Sequence, residues 1–299
     1  MRIAVTGASG LIGSALVSFL AANDHDCTRL VRSSPSGPLE ARWDPATGQI
    51  EPAAAIEGLD AVVNLAGEPI AEGRWTTAKK SRIRESRVGG TRRLAEALLR
   101  LDRPPRILVA ASAIGFYGDR GDEVLTEDSA PGTGFLADAC RDWEKAAQPA
   151  VDAGIRVVHL RIGLVLSNSG GALPRMLLPF RMGVGGRIGS GKQYMSWIAL
   201  DDLVGVAYYV LTDDAARGPI NAVSPNPVTN LEFTKALGKA LSRPTVFPLP
   251  GFAARLALGE MADELLLASQ RVKPARLISS RFQFKLPEIE SALRSVLSE

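Results

Sequence analysis

A glycine-rich turn stands almost at the start of the chain. Residues 6 to 13 have the sequence Thr-Gly-Ala-Ser-Gly-Leu-Ile-Gly, between an apolar run at 2–5 and a segment at 14–20 whose apolar residues have helical spacing. A strand, a tight glycine turn and a helix form the unit that binds a dinucleotide, because the glycines let the pyrophosphate approach and the helix N-terminus attracts it. We interpret the turn as a cofactor site and expect a positive φ at Gly10. A purely structural glycine turn is the alternative.

The residues after the second strand indicate which dinucleotide binds. The strand-like segment 26–31 is followed by Arg32 and Ser33, and Arg32 comes 19 residues after Gly13 with no Asp or Glu beside it. An acidic residue there would hold the ribose 2′-hydroxyl of NAD, whereas an arginine suits the 2′-phosphate of NADP. The sequence therefore predicts NADP(H). An arginine that is merely solvated in a loop is the alternative.

Two residues that follow a later strand could take part in a reaction. Ser112 ends the apolar run 106–111, where its hydroxyl could orient a substrate carbonyl, and the phenol of Tyr117 could donate a proton if it enters the cleft. Each has a structural alternative, because a small serine fits the end of a buried strand and a tyrosine can pack at the rim. We name both as candidate catalytic residues.

Other chemistries lack their residues. The two histidines are His25 in a polar turn and His159 in an apolar strand, and no HxxxH, CxxC or acidic cluster has the spacing of metal ligands. Ser112 lacks a GxSxG elbow, which argues against a serine hydrolase. Cys27 and Cys140 suggest no disulfide framework. We expect no metal.

Composition places the chain among ordinary globular proteins. It has 299 residues, of which 46% are hydrophobic and 22% charged, and its net charge is +3. Its positive residues concentrate in 74–93 but alternate with glutamates, which is typical of a solvated helix face. With no secretory signal and no apolar segment long enough to span a bilayer, we expect a cytoplasmic protein without a nucleic-acid or membrane partner.

Strand-like and helix-like segments alternate through the first two hundred residues, which predicts βαβ units and a parallel sheet. Strands are predicted at 2–5, 26–31, 61–67, 106–111 and 155–161, helices at 14–20, 76–100, 136–153, 201–211, 229–241 and 287–297, and a hairpin-like excursion around 43–49. The glycine-rich residues between Ser167 and Ser196 predict a loop region able to close over a ligand.

Several motifs together resemble the extended short-chain dehydrogenase/reductase fold. They are the TGxxGxxG turn, Asn-Leu-Ala-Gly at 64–67, Ala-Ser-Ala at 111–113, Leu-Arg-Ile-Gly at 160–163 and Trp-Ile-Ala-Leu-Asp-Asp-Leu at 197–203. Segments 134–137, 140–144, 259–262, 269–272 and 282–284 are similar to one atypical branch of it. That branch, the epimerase family proteins, has a C-terminal domain of unknown function and has been labelled cell-division-inhibitor-like (SulA). The resemblance covers essentially the whole chain.

The chain departs from that pattern where catalysis is concerned. Active relatives carry a YxxxK pair, in which the lysine lowers the pKa of the tyrosine that serves as general acid and base. Aligned on Phe135 the motif puts Ala139 at the lysine, and aligned on Leu136 it puts Cys140 there. Tyr117 has a glycine four places later, so it does not restore the pair.

The expected architecture is an α/β protein with a Rossmann-type doubly wound parallel sheet and a smaller, interlaced C-terminal lobe. Residues 1–165 would form the NADP-binding domain, to which 199–217 returns, and residues 166–198 and 218–299 the substrate-side lobe. We expect an NADP-dependent oxidoreductase or epimerase-like protein acting on a small polar substrate, or alternatively an NADP(H)-binding sensor or regulatory protein without turnover. The predicted cofactor-binding residues are Thr6, Gly7, Ser9, Gly10, Leu11, Ile12, Gly13, Arg32, Ser33, Leu65, Ala66, Gly67, Glu68, Arg87 and Arg161.

Overall fold

The computed structural model describes residues 1–298 and is built around an eight-stranded sheet. The strands are β1 (Arg2–Thr6), β2 (Asp26–Val31), β3 (Glu40–Asp44), β4 (Gln49–Glu51), β5 (Ala61–Asn64), β6 (Ile107–Ala113), β7 (Val124–Leu125), β8 (Arg156–Ile162), β9 (Leu164–Leu166), β10 (Tyr194–Met195), β11 (Trp197–Ala199), β12 (Gly218–Ala222), β13 (Val228–Thr229) and β14 (Arg271–Val272). The α-helices are α1 (Leu11–Ala22), α2 (Thr77–Arg84), α3 (Gly90–Leu98), α4 (Phe135–Lys145), α5 (Gln148–Asp152), α6 (Leu173–Arg181), α7 (Leu200–Thr212), α8 (Asn230–Leu241), α9 (Gly251–Leu258), α10 (Glu260–Ala262), α11 (Ala275–Ser279) and α12 (Ile289–Ser298).

The main sheet has the order β12-β8-β6-β5-β1-β2-β3-β4. Every neighbouring pair is parallel except the hairpin of β3 and β4. The chain starts in the middle, winds outward through β2 and β3, and returns past β1 to β5, β6, β8 and β12. This confirms the predicted doubly wound α/β fold, and the strand order reverses beside β1, where such sheets bind ligands.

Helices cover both faces of the sheet. Leu16 of α1 and Leu203 of α7 pack on one face, and Leu94 of α3 and Ala150 of α5 pack on the other. Because both faces are covered, the central strands consist almost wholly of apolar residues, and Val5 has no exposed surface.

Three predicted elements differ in detail. The predicted helix at 76–100 contains a π-helical turn, Glu85–Gly89, between α2 and α3. The predicted helix at 136–153 is divided into α4 and α5, where Pro149 in the first turn of α5 has no N–H to continue the ladder. The region 167–196 is not all loop, because its glycines flank an uninterrupted stretch that forms α6 with Leu173, Leu177 and Phe180 buried.

The smaller lobe has its own core, in which α6, α8 and α12 pack around Trp197 and Phe233. One predicted boundary is wrong: residues 218–222 form β12, the edge strand of the main sheet beside β8, and do not belong to the lobe. None of the helices formed by residues 1–298 combines the length and apolar character that a membrane crossing needs.

Candidate cofactor site

The three glycines of the first turn have different structural roles. Gly7 has φ +65°, and a Cβ there would lie 2.8 Å from the Leu65 carbonyl carbon. A Cβ at Gly13 would lie 2.2 Å from Gly7 O, so only glycine lets α1 pack this closely. Gly10 has φ −77°, so the expected positive φ belongs to Gly7 and not to Gly10.

Gly10 and the first turn of α1 form an open cradle. The nearest atom to a Cβ at Gly10 would be Gly7 O at 3.3 Å, which leaves the outer side of the turn free. No side chain caps α1, and the first N–H bonded back to the turn is that of Ser14, 2.8 Å from Gly10 O. The N–H groups of Leu11, Ile12 and Gly13 therefore remain available, a donor set that fits a phosphate.

Arg32 and Ser33 follow the neighbouring strand and are exposed. The register pairs Thr6, the last residue of β1, with Leu30, so Arg32 follows β2 at the same edge of the sheet at which the glycine turn follows β1. Within residues 1–298, the guanidinium of Arg32 forms no hydrogen bond and no ion pair. A free cation beside the glycine turn fits the 2′-phosphate of NADP.

Thr6 was predicted to touch the cofactor, but it has no exposed surface. Its hydroxyl donates to Asn64 Oδ1 at 2.6 Å and accepts from the N–H groups of Leu65 and Ala66 at 3.1 and 3.2 Å. Thr6 therefore positions the turn after β5 from beneath. Asn64, which is not among the predicted cofactor-binding residues, extends this support by donating to Thr91 Oγ1 at 2.9 Å.

Glu68 is held in place by the helix that follows it. Its carboxylate lies 2.8 Å from Lys79 Nζ and 3.5 Å from Arg82 Nε, and the hydrogen bond from Lys79 lowers the pKa of Glu68. Its carbonyl accepts from Arg87 Nη1 at 2.9 Å. Lys79 is another residue that the sequence did not single out, and it makes the Glu68 side chain part of a fixed wall of the crevice.

Arg87 lies directly under the turn after β5. A Cβ at Gly67 would lie 3.2 Å from its Cζ, and the guanidinium stacks over the ring of Trp143 at 5.1 Å. Burial lowers the pKa of Arg87. Gly67 is exposed and Arg87 is half-buried, and their contact with a cofactor stays a prediction.

Ser112 and Arg161 share one buried carboxylate. Ser112 Oγ donates to Glu144 Oε1 at 2.7 Å, while Arg161 Nε and Nη2 donate to Oε1 and Oε2 at 2.8 and 2.9 Å. Arg161 was predicted to bind cofactor, but it is only 4% exposed and its guanidinium faces protein groups. An arginine inside an apolar strand needs an acidic partner, so the sequence could have indicated that such a partner exists but not that it is Glu144.

Tyr117 is also enclosed. It has no exposed surface, and its hydroxyl lies 2.7 Å from Asn221 Oδ1 and 2.9 Å from Thr126 O while it accepts from Arg161 Nη1 at 2.9 Å. Burial raises its pKa. The candidate role of this phenol required it to enter the cleft, and packing at the rim was the alternative; in this structure Tyr117 does neither, because it is fully buried in a small core with Phe116 and Leu125.

The helix that usually carries the catalytic pair presents no acid or base in either alignment. Leu136 Cβ and Cys140 Sγ lie against the backbone of Gly115, within 3.3 and 3.6 Å of where its Cβ would be. Phe135 packs edge-on against Trp75, and burial raises the pKa of the Cys140 thiol to about 12. The α4 N-terminus is capped from the other lobe by Glu264, which accepts from the N–H groups of Phe135 and Leu136 at 2.7 and 2.8 Å.

Two loops of the structure come together over the crevice. Cβ atoms at Gly170 and Gly171 would lie 3.4 and 3.1 Å from the side chain of Leu11, so the glycine-rich loop rests on the cofactor turn. Arg74, in the loop after β5, donates to the Ala257 carbonyl at 3.1 Å. Among residues 1–298 no group of His, Cys, Asp and Glu could hold a metal ion.

Comparison with known proteins assigns this chain to a family. The model of the NAD dependent epimerase/dehydratase family matches residues 3–222, and that of a domain of unknown function (DUF1731) matches residues 249–296. The chain belongs to the NAD dependent epimerase/dehydratase family. It is 47% identical to an epimerase family protein of Mycobacterium bovis over 97% of this chain and 96% of that one.

Two solved structures superpose on the full length of this chain. The crystal structure of human epimerase family protein SDR39U1 with NADPH superposes with a TM-score of 0.92 at 36% identity and covers 100% of both chains. A UDP-glucose 4-epimerase of Thermus thermophilus with NAD superposes with a TM-score of 0.78 at 20% identity, covering 100% of this chain and 98% of that one, and shows the fold alone.

Proposed function

We propose that this chain binds NADP(H) in preference to NAD(H), at the turn between β1 and α1. The observation that carries the proposal is Arg32, an exposed arginine without a partner in residues 1–298, which follows the strand next to the one that leads into the open glycine cradle. The NADPH in the human relative supports it. When bound, NADPH supplies a hydride; this chain's own contribution is to hold the phosphates with the α1 N-terminus and with Arg32 and Ser33.

We further propose that the protein works as an NADP(H)-binding sensor or regulatory protein and not through the tyrosine–lysine mechanism. Leu136 and Cys140 stand where an acid and its cation would be, and Tyr117 is sealed from the crevice. Losing a positioned acid or base costs about 10²–10⁴ in rate. Slow or absent turnover on carbonyl and sugar-nucleotide substrates follows from this site.

An oxidoreductase or epimerase-like activity on a small polar substrate is the second candidate. It is favoured by the complete second lobe that closes the crevice and by the pair of Ser112 and Glu144 at the end of β6, whose carboxylate keeps 13% of its side-chain surface exposed. The cytoplasmic location and the cell-division label remain predictions from the sequence.

Titration with the two cofactors tests the first proposal. NADPH should bind more tightly than NADH, and Arg32→Ala should weaken NADPH far more than NADH, because charge-assisted bonds contribute about 1.5–3 kcal/mol each. Arg100→Ala, an exposed arginine remote from the turn, is the matched control. Equal titration curves for the two cofactors in the unmodified protein would contradict the proposal.

Turnover assays separate the sensor from the enzyme. NADPH oxidation is followed across carbonyl compounds and nucleotide sugars for the wild type, Ser112→Ala and Tyr117→Phe. Tight NADPH binding without turnover supports the sensor. Fast turnover that is lost in Ser112→Ala establishes an enzyme with a relocated donor, and fast turnover that survives both substitutions shows that neither residue carries the reaction.

A further inference from the structure

The smaller lobe carries a group of exposed apolar side chains on segments that contact one another, which we call the apolar face. It comprises the exposed large side chains of α6 and its C-terminal loop (Leu178, Met182 and Val184), those of segment 246–249, and those of α9 (Phe252 and Leu256). Most large exposed apolar residues of the described chain belong to it. Contiguous apolar patches of this kind mark interaction sites.

Backbone contacts join these three segments into one surface. Leu249 N donates to Arg187 O and Gly189 N donates to Leu249 O, both at 2.9 Å, so the loop after α6 runs beside segment 246–249. Arg243 Nε donates to Arg181 O at 3.1 Å at the end of α6. Helix α9 begins directly after segment 246–249, and Phe252 and Leu256 stand one helical turn apart on its outer side.

The side chains of the apolar face protrude. Phe252 and Leu256 expose 72% and 76% of their surface, and Met182 exposes 68%. Side chains exposed to this extent stand out from the surface and do not line a groove. Their shape fits insertion into a soft apolar medium better than the capture of a peptide between walls.

The segments that carry the apolar face are basic, and the carboxylates that follow α9 at 260–264 pair with Lys80 and Arg255 or cap α4. Residues 172–192 and 242–259 contain six Lys or Arg residues and no Asp or Glu: Arg175, Arg181, Arg187, Lys192, Arg243 and Arg255. Arg175 and Arg255 pair with carboxylates of other segments at 3.6 and 2.7 Å, and Glu72 and Asp263 are those partners. The other four form no ion pair with a carboxylate of residues 1–298, so these segments carry a net positive charge that favours an occupant of negative charge.

We propose that the apolar face docks the protein peripherally on an anionic phospholipid bilayer. Protruding aromatic and aliphatic side chains with a cationic surround are the features that hold a helix in the headgroup region of such a surface. A second copy of the chain is disfavoured, because a two-fold interface would set the same cationic face against itself. Surface docking needs no membrane-spanning helix, so the absence of a span did not exclude it. The proposal is independent of the proposed function.

Vesicle flotation tests the docking. The full chain should float with vesicles of phosphatidylcholine containing about 30 mol% phosphatidylglycerol and not with pure phosphatidylcholine, and raised salt should release it. Phe252→Ser with Leu256→Ser should lower the vesicle-bound fraction at least about tenfold. Val151→Ser with Ile278→Ser, two apolar residues exposed elsewhere, should leave it unchanged.

Charge variants and two further measurements complete the test. Arg181→Glu should weaken flotation, whereas Arg100→Glu, remote from the apolar face, should not. NADPH affinity, unchanged in every variant, shows that each still folds. No flotation with anionic vesicles, or equal loss in the patch and control variants, overturns the proposal. Sedimentation equilibrium that finds a dimer broken by the Phe252 and Leu256 substitutions assigns the face to a second copy and overturns it too.

Discussion

One hydroxyl, that of Thr6, holds two loops of the crevice together. Thr6→Val keeps the size of the side chain but leaves the N–H group of Ala66 and the Oδ1 of Asn64 without this partner, whereas the N–H group of Leu65 keeps the Thr6 carbonyl at 3.3 Å. Unpaired buried groups of this kind cost about 1–3 kcal/mol. We expect urea denaturation to show a loss of that size and NADPH binding to weaken. Thr6→Ser retains the hydroxyl and is the control; a Thr6→Val protein as stable as the Ser variant would contradict the assignment.

A buried histidine should make stability depend on pH. Burial lowers the pKa of His159, whose Nδ1 has no partner among the described atoms. The unfolded chain, with an ordinary histidine pKa of about 6.5, then binds more protons than the folded one, so the free energy of unfolding falls as pH drops through that value. The loss ends below the folded pKa. Asp202, whose pKa burial raises, acts in the opposite direction in every variant.

Denaturant unfolding at about pH 7.5 and about pH 5.5 measures this slope. His159→Gln should show a smaller loss on acidification than the wild type. His25→Gln changes the other histidine and serves as the control. A His159→Gln protein with the slope of the wild type would contradict the link between its burial and acid sensitivity.

At the residue scale, the sequence predicted the interactions between residues close in sequence and missed those between residues far apart in sequence. Gly7, Gly10 and Gly13 act within one turn, so their spacing alone defined the cradle, apart from the φ that belongs to Gly7. Tyr117 and Arg161 were misplaced because their partners are distant: Tyr117 meets Asn221 across 104 positions and Arg161 across 44. No local pattern reports such pairs.

At the scale of elements, helix α4 depends on a carboxylate from the other lobe. Glu264 accepts from the first two N–H groups of α4, where the helix dipole also favours a negative charge. Glu264→Ala should cost about 1–2 kcal/mol, the range of a lost N-terminal cap. Urea denaturation measures this, with Glu260→Ala as the control, since Glu260 makes only an exposed pair with Lys80 at 2.8 Å. Equal losses in the two variants would show that the cap adds nothing beyond a surface ion pair.

The same scale shows where periodicity suffices and where it does not. The central strands were predictable as continuous apolar runs, and α1, α7 and α8 because each buries one face. Helix α8 also begins with a capping box between Thr229 and Glu232. The division of α4 from α5 and the presence of α6 depended on where prolines and glycines fall within a region. Glu264 could not be anticipated, since a helix without its own cap gives no sign of which distant carboxylate completes it.

At the scale of the whole molecule, the two regions matched by family models are laced into one structure. The C-terminal segment supplies β14 to β7, Glu264 to α4, and α12 to the core around Trp197 and Phe233. The strand that begins at residue 218 belongs to the main sheet, although the sequence had assigned this segment to the lobe. The matched boundaries at 222 and 249 therefore mark sequence similarity and do not divide the molecule into independent folding units.

A chain shortened to residues 1–248 should consequently lose cooperative folding. Ile289, Ala292, Leu293 and Val296 of α12 are all buried, and fully burying a large aliphatic side chain contributes about 1.5–3 kcal/mol. Their loss, together with β14 and the α4 cap, approaches the whole stability of a typical protein, about 5–15 kcal/mol. Thermal melting followed by circular dichroism should show no sharp transition, and NADPH binding should fail although every predicted cofactor-binding residue is retained. Co-expression with residues 249–299 is the control and should restore both. A shortened chain that melts cooperatively and binds NADPH like the full chain would show that the sheet stands without the lobe.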